Sequence, residues 1–487
     1  MKNEKKLTIL HSNDLHGDFL PDMSGKFPVG GVALLSGYVG KVRREEENVI
    51  YTISGDMFRG SVIDEEYRGM STVEIINRLA PDVVTIGNHE LDYGVPHLLF
   101  IDKCAKFPII NSNMRIKPNG IHLFMPYTVI ERDGIRILFI GIITEDVLAQ
   151  TKQDPIIGNM LEISDAVEEI GKICTVNESV GAVDLTVLLT HIGIEADKKL
   201  AAALDPAWGV DVILGGHSHT FMSEPVTVND ILIAHAGTGT DIIGRFNFVI
   251  DTDKAAVKSY EWRCVPVTGE NIMRDHEIEK TVEAYKAATD RKYERIVTKF
   301  NGSFTHPVRN AETELGNLFA DVFCEALDLD VMLLGSGSIR SDELGPTVAY
   351  GGLTEAFPFD DGVYMFRATG ELFKRMMLYM LREEAFVGHT EFYQLSRGMK
   401  LVYSRKEKCF REFSYFGREI KDTDVFKIGM QTYHFTNIEA FLNVTYAEIG
   451  AIEKPRIVAV SCIDVLDDYL SAHGALDGSV EGRIVIE

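Results

Sequence analysis

A chain of 487 residues is too long for one ordinary hydrophobic core, so two domains are expected. Apolar residues at 45% and charged residues at 25% describe a globular protein. The formal charge of −24, from 49 basic and 73 acidic side chains, opposes general binding to nucleic acid or anionic membranes, because like charges would be brought together.

The amino terminus, "MKNEKKLTIL", is basic, but its apolar run is only four residues long, too short for the core of a signal peptide. No stretch approaches the roughly 18 consecutive apolar residues of a membrane span. The six cysteines are widely spaced and form no CxxC pair, which excludes a zinc ribbon and a disulfide scaffold. A cytoplasmic protein is expected, with no membrane association and no stable nucleic-acid partner.

Through about residue 268 one pattern repeats: a short aliphatic or β-branched run stops at a polar loop containing glycine. The runs are "LTIL", "VIYTI", "DVVTI", "LTVLL" and "VDVIL", and their loops are "HSNDLHG", "SGDMFRG", "GNHELDYG", "THIGIEAD" and "GGHSHT". Amphipathic stretches at 70–80 and 163–177 lie between them. Continuous apolar runs alternating with helical patterns predict an α/β domain whose strands are covered on both faces. The charged stretch 43–48, "RREEEN", reads as a solvated face. Residues 270–300 are helical in pattern and poor in Gly and Pro, as a connecting helix would be. From 301 to 487 helical and strand-like stretches mix, predicting a separate α+β domain.

Ligands of open α/β sheets gather beyond the carboxyl ends of the strands. The loops there supply Asp14, His16, Asp56, Asn88, His89, Asp92, His191, His217 and His219. Imidazole, carboxylate and amide donors without thiolate suit Zn, Mn, Co or Mg. Asp14 with His16, and His217 with His219, are two apart, so in an extended segment each pair falls on one side of the backbone. The donors outnumber what one ion uses, and a pair of ions about 3.5 to 4 Å apart needs a shared carboxylate. Asp56, alone on its loop, is the natural bridge. Such a centre predicts phosphoester hydrolysis. Isolated histidines at other positions are ordinarily structural, and His11, His97, His235, His306, His389, His434 and His473 are read so.

"NDLHG", "GD", "GNHELD", "TH" and "GGHSH", in this order, resemble the calcineurin-like metallophosphoesterase signature, and the whole chain resembles the bifunctional metallophosphatase/5′-nucleotidase family. The resemblance implies a four-layer α/β/β/α metallophosphoesterase domain over 1–268, a connecting helix over 269–300, and a 5′-nucleotidase C-terminal substrate-specificity domain over 301–487. It implies two divalent ions, one held by Asp14, His16, Asp56 and His219, the other by Asp56, Asn88, His191 and His217, with His89 and Asp92 as a catalytic dyad. His219 departs from the Gln or Asn frequent in the family. "RNAETELGNLFAD" and "GSGSIRSDELG" resemble phosphate and nucleoside segments and give Arg309 and Arg340 as phosphate-binding candidates. "EAFPFDD" and "QTYHFTNIEAF" give Phe359 and Tyr433 as the two aromatics of a base clamp. Gly335 stands where the family has a loop asparagine, and "NIEAF", with Glu439, replaces "GGDGF". The implied activity is hydrolysis of nucleoside 5′-monophosphates, small-molecule substrates. The alternatives are a 2′,3′-cyclic nucleotide phosphodiesterase, a nucleotide-sugar or dinucleotide pyrophosphatase, and a non-catalytic nucleotide-binding relative.

Overall fold

The computed structural model describes residues 4–145, 161–180, 183–386, 391–474, 476 and 479–487. The chain forms two compact units, residues 1–289 and 290–487.

All five apolar runs of the first unit become strands: Glu4–Ser12, Val49–Ser54, Val83–Thr85, Leu185–His191 and Val212–Gly215. They are distributed over two six-stranded sheets. The first runs, edge to edge, Ala256–Pro266, Ile242–Asp251, Glu4–Ser12, Val49–Ser54, Val83–Thr85, Ile109–Ile110. Its last four strands are mutually parallel and its first two antiparallel. The second sheet runs Val226–Val228, Ile231–Ala234, Val212–Gly215, Leu185–His191, Ile135–Ile143, Tyr127–Arg132, with four parallel strands at its centre. Ile135–Ile143 is a strand that the run-and-loop pattern does not single out, because its end carries no cluster of donor side chains.

Three apolar clusters explain the layering. Ile9, Ile50, Phe139, Val187 and Leu214 meet between the two sheets. The helices Val32–Glu45, Met70–Leu79 and Val95–Cys104 pack Leu35, Val39, Ile75, Ile76 and Leu98 on the outer face of the first sheet. Ala166–Val180 and Ile194–Ala203 cover the second with Ile170, Ile173, Leu200 and Ala201. The order is therefore α/β/β/α, as the resemblance implies. Burial on both faces is why the strands read as unbroken apolar runs instead of alternating ones.

The stretch 43–48 is more than a solvated face. Arg43 pairs with Asp82 at 2.8 Å, and Glu46 accepts from Thr8 and from the buried Arg245. The helical pattern of 270–300 becomes the helix His276–Tyr293.

In the second unit a five-stranded sheet runs Tyr393–Leu395, Val331–Gly335, Val425–Gln431, Val363–Thr369, Arg456–Ala459. Helices Glu314–Ala326 and Cys462–Ala472 bury Phe319, Phe323, Cys462 and Leu466 in one cluster with Met332, Leu334 and Val363. Helix Gly370–Met380 and the strands Met399–Ser404 and Cys409–Tyr415 share a second cluster with Val331, Leu333 and Ile428. No helix of the described residues is long and apolar enough to cross a membrane.

Candidate metal centre

Because the five donor-bearing strands run parallel within their sheets, their carboxyl ends deliver the loops to one edge of the first unit. There the backbone bends sharply. Asp14, His16, Asp56, His217 and His219 all adopt positive φ, between 48° and 81°, a left-handed conformation that non-glycine residues rarely hold. Strain of this kind, about 1–3 kcal/mol per residue, survives where the surroundings over-determine it, and such places cluster at functional sites. The glycine next to Asp56 in space is equally constrained. A Cβ on Gly87 would lie 2.2 Å from Asp56 Oδ1, so only a bare α-carbon lets the two loops touch.

Asp14, His16, Asp56, Asn88, His191, His217 and His219 converge. His16 Nε2 and His219 Nε2 face each other at 3.0 Å, with Asp14 Oδ1 3.9 Å from the first and 3.4 Å from the second. Asp56 Oδ2 lies 3.9 Å from His16 Nε2 and 3.1 Å from His191 Nε2, so one carboxylate reaches both halves of the cluster. Asn88 Oδ1 lies 3.2 Å from His191 Nε2 and 2.9 Å from His217 Nδ1. Among the described residues three groups could hold a metal, Asp14/His16/His219, His16/Asp56/His89 and Asp56/His191/His217, and within each the ligand atoms lie within 4.8 Å of one another. Lone pairs aimed at a common point, with Asp14, Asp56 and His191 almost fully buried, fit divalent cations.

The electrostatics agree. Burial opposes the charge on Asp56, but the hydrogen bond and charge of His191 outweigh it and hold the carboxyl at about 2. Burial pushes His191 down while Asp56 pulls it up, to about 9. A cation at this place would take over the role of that proton, since a ligating imidazole must be neutral. His191 is oriented by its other nitrogen, which lies 2.8 Å from the Ser54 carbonyl. Asp14 accepts the His217 N–H at 2.9 Å and the Asn13 amide at 2.6 Å.

The dyad residues sit beside the cluster. His89 Nδ1 bonds Asp92 Oδ2 at 2.7 Å, and the His89 N–H donates to Asp56 Oδ1 at 2.9 Å. The Asp92 bond raises the imidazole above its ordinary value despite burial. Three residues in the same motifs escape a reading by residue type. Glu90, fully buried, accepts the N–H groups of Gly87, Asp56 and Met57. Asn13 fixes Asp14, and Arg59 donates to Asp92. Their one sequence signal is position inside "GNHELD", "NDLHG" and "GDMFRG".

In the second unit Arg309, Arg340, Phe359 and Tyr433 are exposed. The Arg340 guanidinium lies 5.0 Å from the Phe359 ring centroid. Arg309 lies across the Ser336–Ser338 turn, its NH2 1.9 Å from where a Cβ on Gly337 would be. The Tyr433 N–H donates to Asp361 at 2.8 Å. Gly335 is explained by His434, whose imidazole fills the space where a side chain at 335 would be: a Cβ there would meet Nε2 at 2.0 Å.

Among the remaining histidines, His11, His235, His306 and His434 are buried. His11 packs against Thr52 and Gly215, and His235 bonds Asp197 at 2.7 Å. His306 lies 2.8 Å from Thr313, His97 bonds the Arg68 carbonyl, and His473 stacks on Tyr469. His389 lies outside the described residues.

Residues 7–221 match the calcineurin-like phosphoesterase family model, and residues 292–444 match that of the 5′-nucleotidase C-terminal domain. The chain is 26% identical over 536 residues to a snake venom 5′-nucleotidase of Naja atra, covering 99% of this chain and 98% of the relative. It is 25% identical over 423 residues to a trifunctional nucleotide phosphoesterase protein of Bacillus subtilis, covering 76% of this chain and 27% of that larger protein. The crystal structure of a 5′-nucleotidase precursor from Thermus thermophilus superposes with a TM-score of 0.56 at 23% identity, over 99% of both chains, and shows the same fold. That fold implies a dinuclear divalent-metal site. The chain is a metal-dependent phosphoric ester hydrolase, and it belongs to the calcineurin-like phosphoesterases that carry a 5′-nucleotidase C-terminal domain.

Proposed function

We propose that the protein hydrolyses nucleoside 5′-monophosphates to nucleoside and phosphate. The observation that carries this reading is the reach of Asp56 Oδ2, 3.9 Å from His16 and 3.1 Å from His191. Asp14, His16, Asp56 and His219 would hold one ion, and Asp56, Asn88, His191 and His217 the other. The donor set favours Mn, Zn, Co or Mg. When bound, the ions supply Lewis-acid chemistry to the phosphoryl group and to water.

The chain's own residues do the rest. With Nδ1 bonded to Asp92, His89 presents Nε2 outward, and a proton held there can be given to the departing ester oxygen. The raised imidazole keeps that proton to higher pH. The amide of Asn88 adds a polar contact for developing phosphoryl charge. Arg309 and Arg340 supply forked donors for the anionic part of the substrate, and Phe359 and Tyr433 supply ring faces for its base. Catalysis is thus assigned to residues 1–268 and substrate selection to 301–487, with 269–300 connecting. All six cysteines are free thiols, which supports a cytoplasmic location.

A second reading, cleavage of 2′,3′-cyclic nucleotides or of nucleotide-sugar or dinucleotide pyrophosphates, is favoured by Gly335. His434 leaves no room for a recognition side chain there, so residue 335 offers no side-chain contact to a base.

The test is product analysis, resolving nucleoside, nucleotide and free phosphate, after incubation with AMP, GMP, UMP, 2′,3′-cyclic AMP, UDP-glucose and NAD, with each metal returned to metal-stripped protein. Activity on monophosphates, lost in Asp56→Asn, supports the first reading. Preference for the cyclic or diphosphate substrates supports the second, and silence across the panel overturns both.

A further inference from the structure

Arg59 occupies an unusual place beside the dyad. Its backbone is left-handed, φ 65°, a conformation that costs a long side chain energy. The turn is held there from several sides. The Arg59 N–H donates to Asp64 Oδ2 at 2.9 Å, and the Tyr93 hydroxyl donates to the same oxygen at 2.8 Å. Asp64 is fully buried. The next residue, Gly60, is pressed so close to the His16 loop that a Cβ would stand 2.5 Å from the His16 carbonyl.

This scaffolding points one side chain. The Arg59 guanidinium lies 5.5 Å from the Tyr93 ring centroid, and its Nε donates to Asp92 Oδ2 at 3.0 Å. That oxygen is also the one bonded to His89 Nδ1, at 2.7 Å. A carboxylate rotates freely about its terminal torsion unless something stops it. Two donors on one oxygen stop it, and a charge-assisted bond from a rigid, planar group is well suited to the task. The contact of Arg59 with Glu65, whose side chain is half exposed, is an ordinary surface ion pair of little worth. The Asp92 side chain is only 16% exposed, and there the bond carries weight.

We propose that Arg59 is a positioning residue for catalysis, holding the Asp92 carboxylate in the orientation that orients His89. The proposal rests on the phosphohydrolase reading above. Arg59 acts through Asp92 and His89.

A double-mutant cycle tests it. In the metal-loaded enzyme, Arg59→Gln is expected to lower kcat about tenfold or more, with KM nearly unchanged, the size expected for losing a charge-assisted bond. In a His89→Ala background the same change should cost less than about twofold, because its route of action is gone. Losses that multiply would overturn the proposal. Arg78→Gln, which removes an exposed pair with Glu74 at 3.3 Å, should change neither quantity. A second readout is independent of turnover. In metal-stripped protein labelled with nitrogen-15 histidine, the hydrogen-bonded Nδ1 proton of His89 should broaden or vanish in Arg59→Gln. An unchanged resonance overturns the proposal whatever the substrate. If Arg59→Gln does not fold, Arg59→Lys, which keeps the charge and loses the Nε donor, is held to the same outcomes. A parent enzyme inactive on every phosphoester would overturn the phosphohydrolase reading, while the resonance still judges Arg59.

Discussion

Glu90 accepts the backbone N–H of Asp56 at 2.9 Å, so the carboxylate shared by both candidate ion sites is seated on a second buried carboxylate. The same side chain accepts from Gly87 and Met57, tying two ligand-bearing loops together. Burial, with the Asp56 charge beside it, raises Glu90 to about 7. Glu90→Ala would leave three buried N–H groups without an acceptor. We expect a loss of roughly 3 kcal/mol or more in urea unfolding of metal-stripped protein. Metal affinity should fall as well, because the two loops lose their common anchor.

His89 owes its raised value first to the Asp92 hydrogen bond, which outweighs burial. A group that must be protonated to act loses function as pH rises through its pKa. Asp92→Asn removes the carboxylate that holds that pKa up. The alkaline limb of the kcat profile should therefore move to lower pH in Asp92→Asn; a limb that stays in place would assign it to another group.

His219 brings an imidazole to the Asp14/His16 group, with its Nε2 3.4 Å from Asp14 Oδ1. Imidazole favours zinc over magnesium, whereas an amide oxygen is less selective. We expect His219→Gln to weaken zinc binding by about 10- to 100-fold while magnesium binding changes little. Isothermal titration of metal-stripped protein measures both.

In the second unit His434 is buried, and burial, then the charge of Arg309, push its pKa down to about 4. The folded state thus disfavours a proton that the unfolded chain takes up near 6.5. Its contribution is complete above pH 6.5 and is lost as pH falls toward 4, by roughly 3 kcal/mol. The urea midpoint of the second unit should drop across that window, and His434→Gln should flatten the drop.

The sequence by itself determined five strands of the first unit and which side chains stand at their ends. Both are local matters: a strand covered on both faces must be apolar throughout, and the chain must turn polar where it leaves the sheet. "LTIL" and "GGHSH" are legible for that reason. Folding decided what local pattern cannot carry. Ile135–Ile143 takes a place beside Leu185–His191 that no donor cluster announces, and parallel pairing between distant segments brings five loops to one edge. Glu90 and Arg59 look like ordinary turn and surface charges until the loops meet, because an acceptor for three N–H groups exists only once those groups share a space. The same holds for Gly335. Its missing side chain is a blank in the sequence and acquires its reason only from His434, 99 positions away along the chain and 2.0 Å from where a Cβ would be.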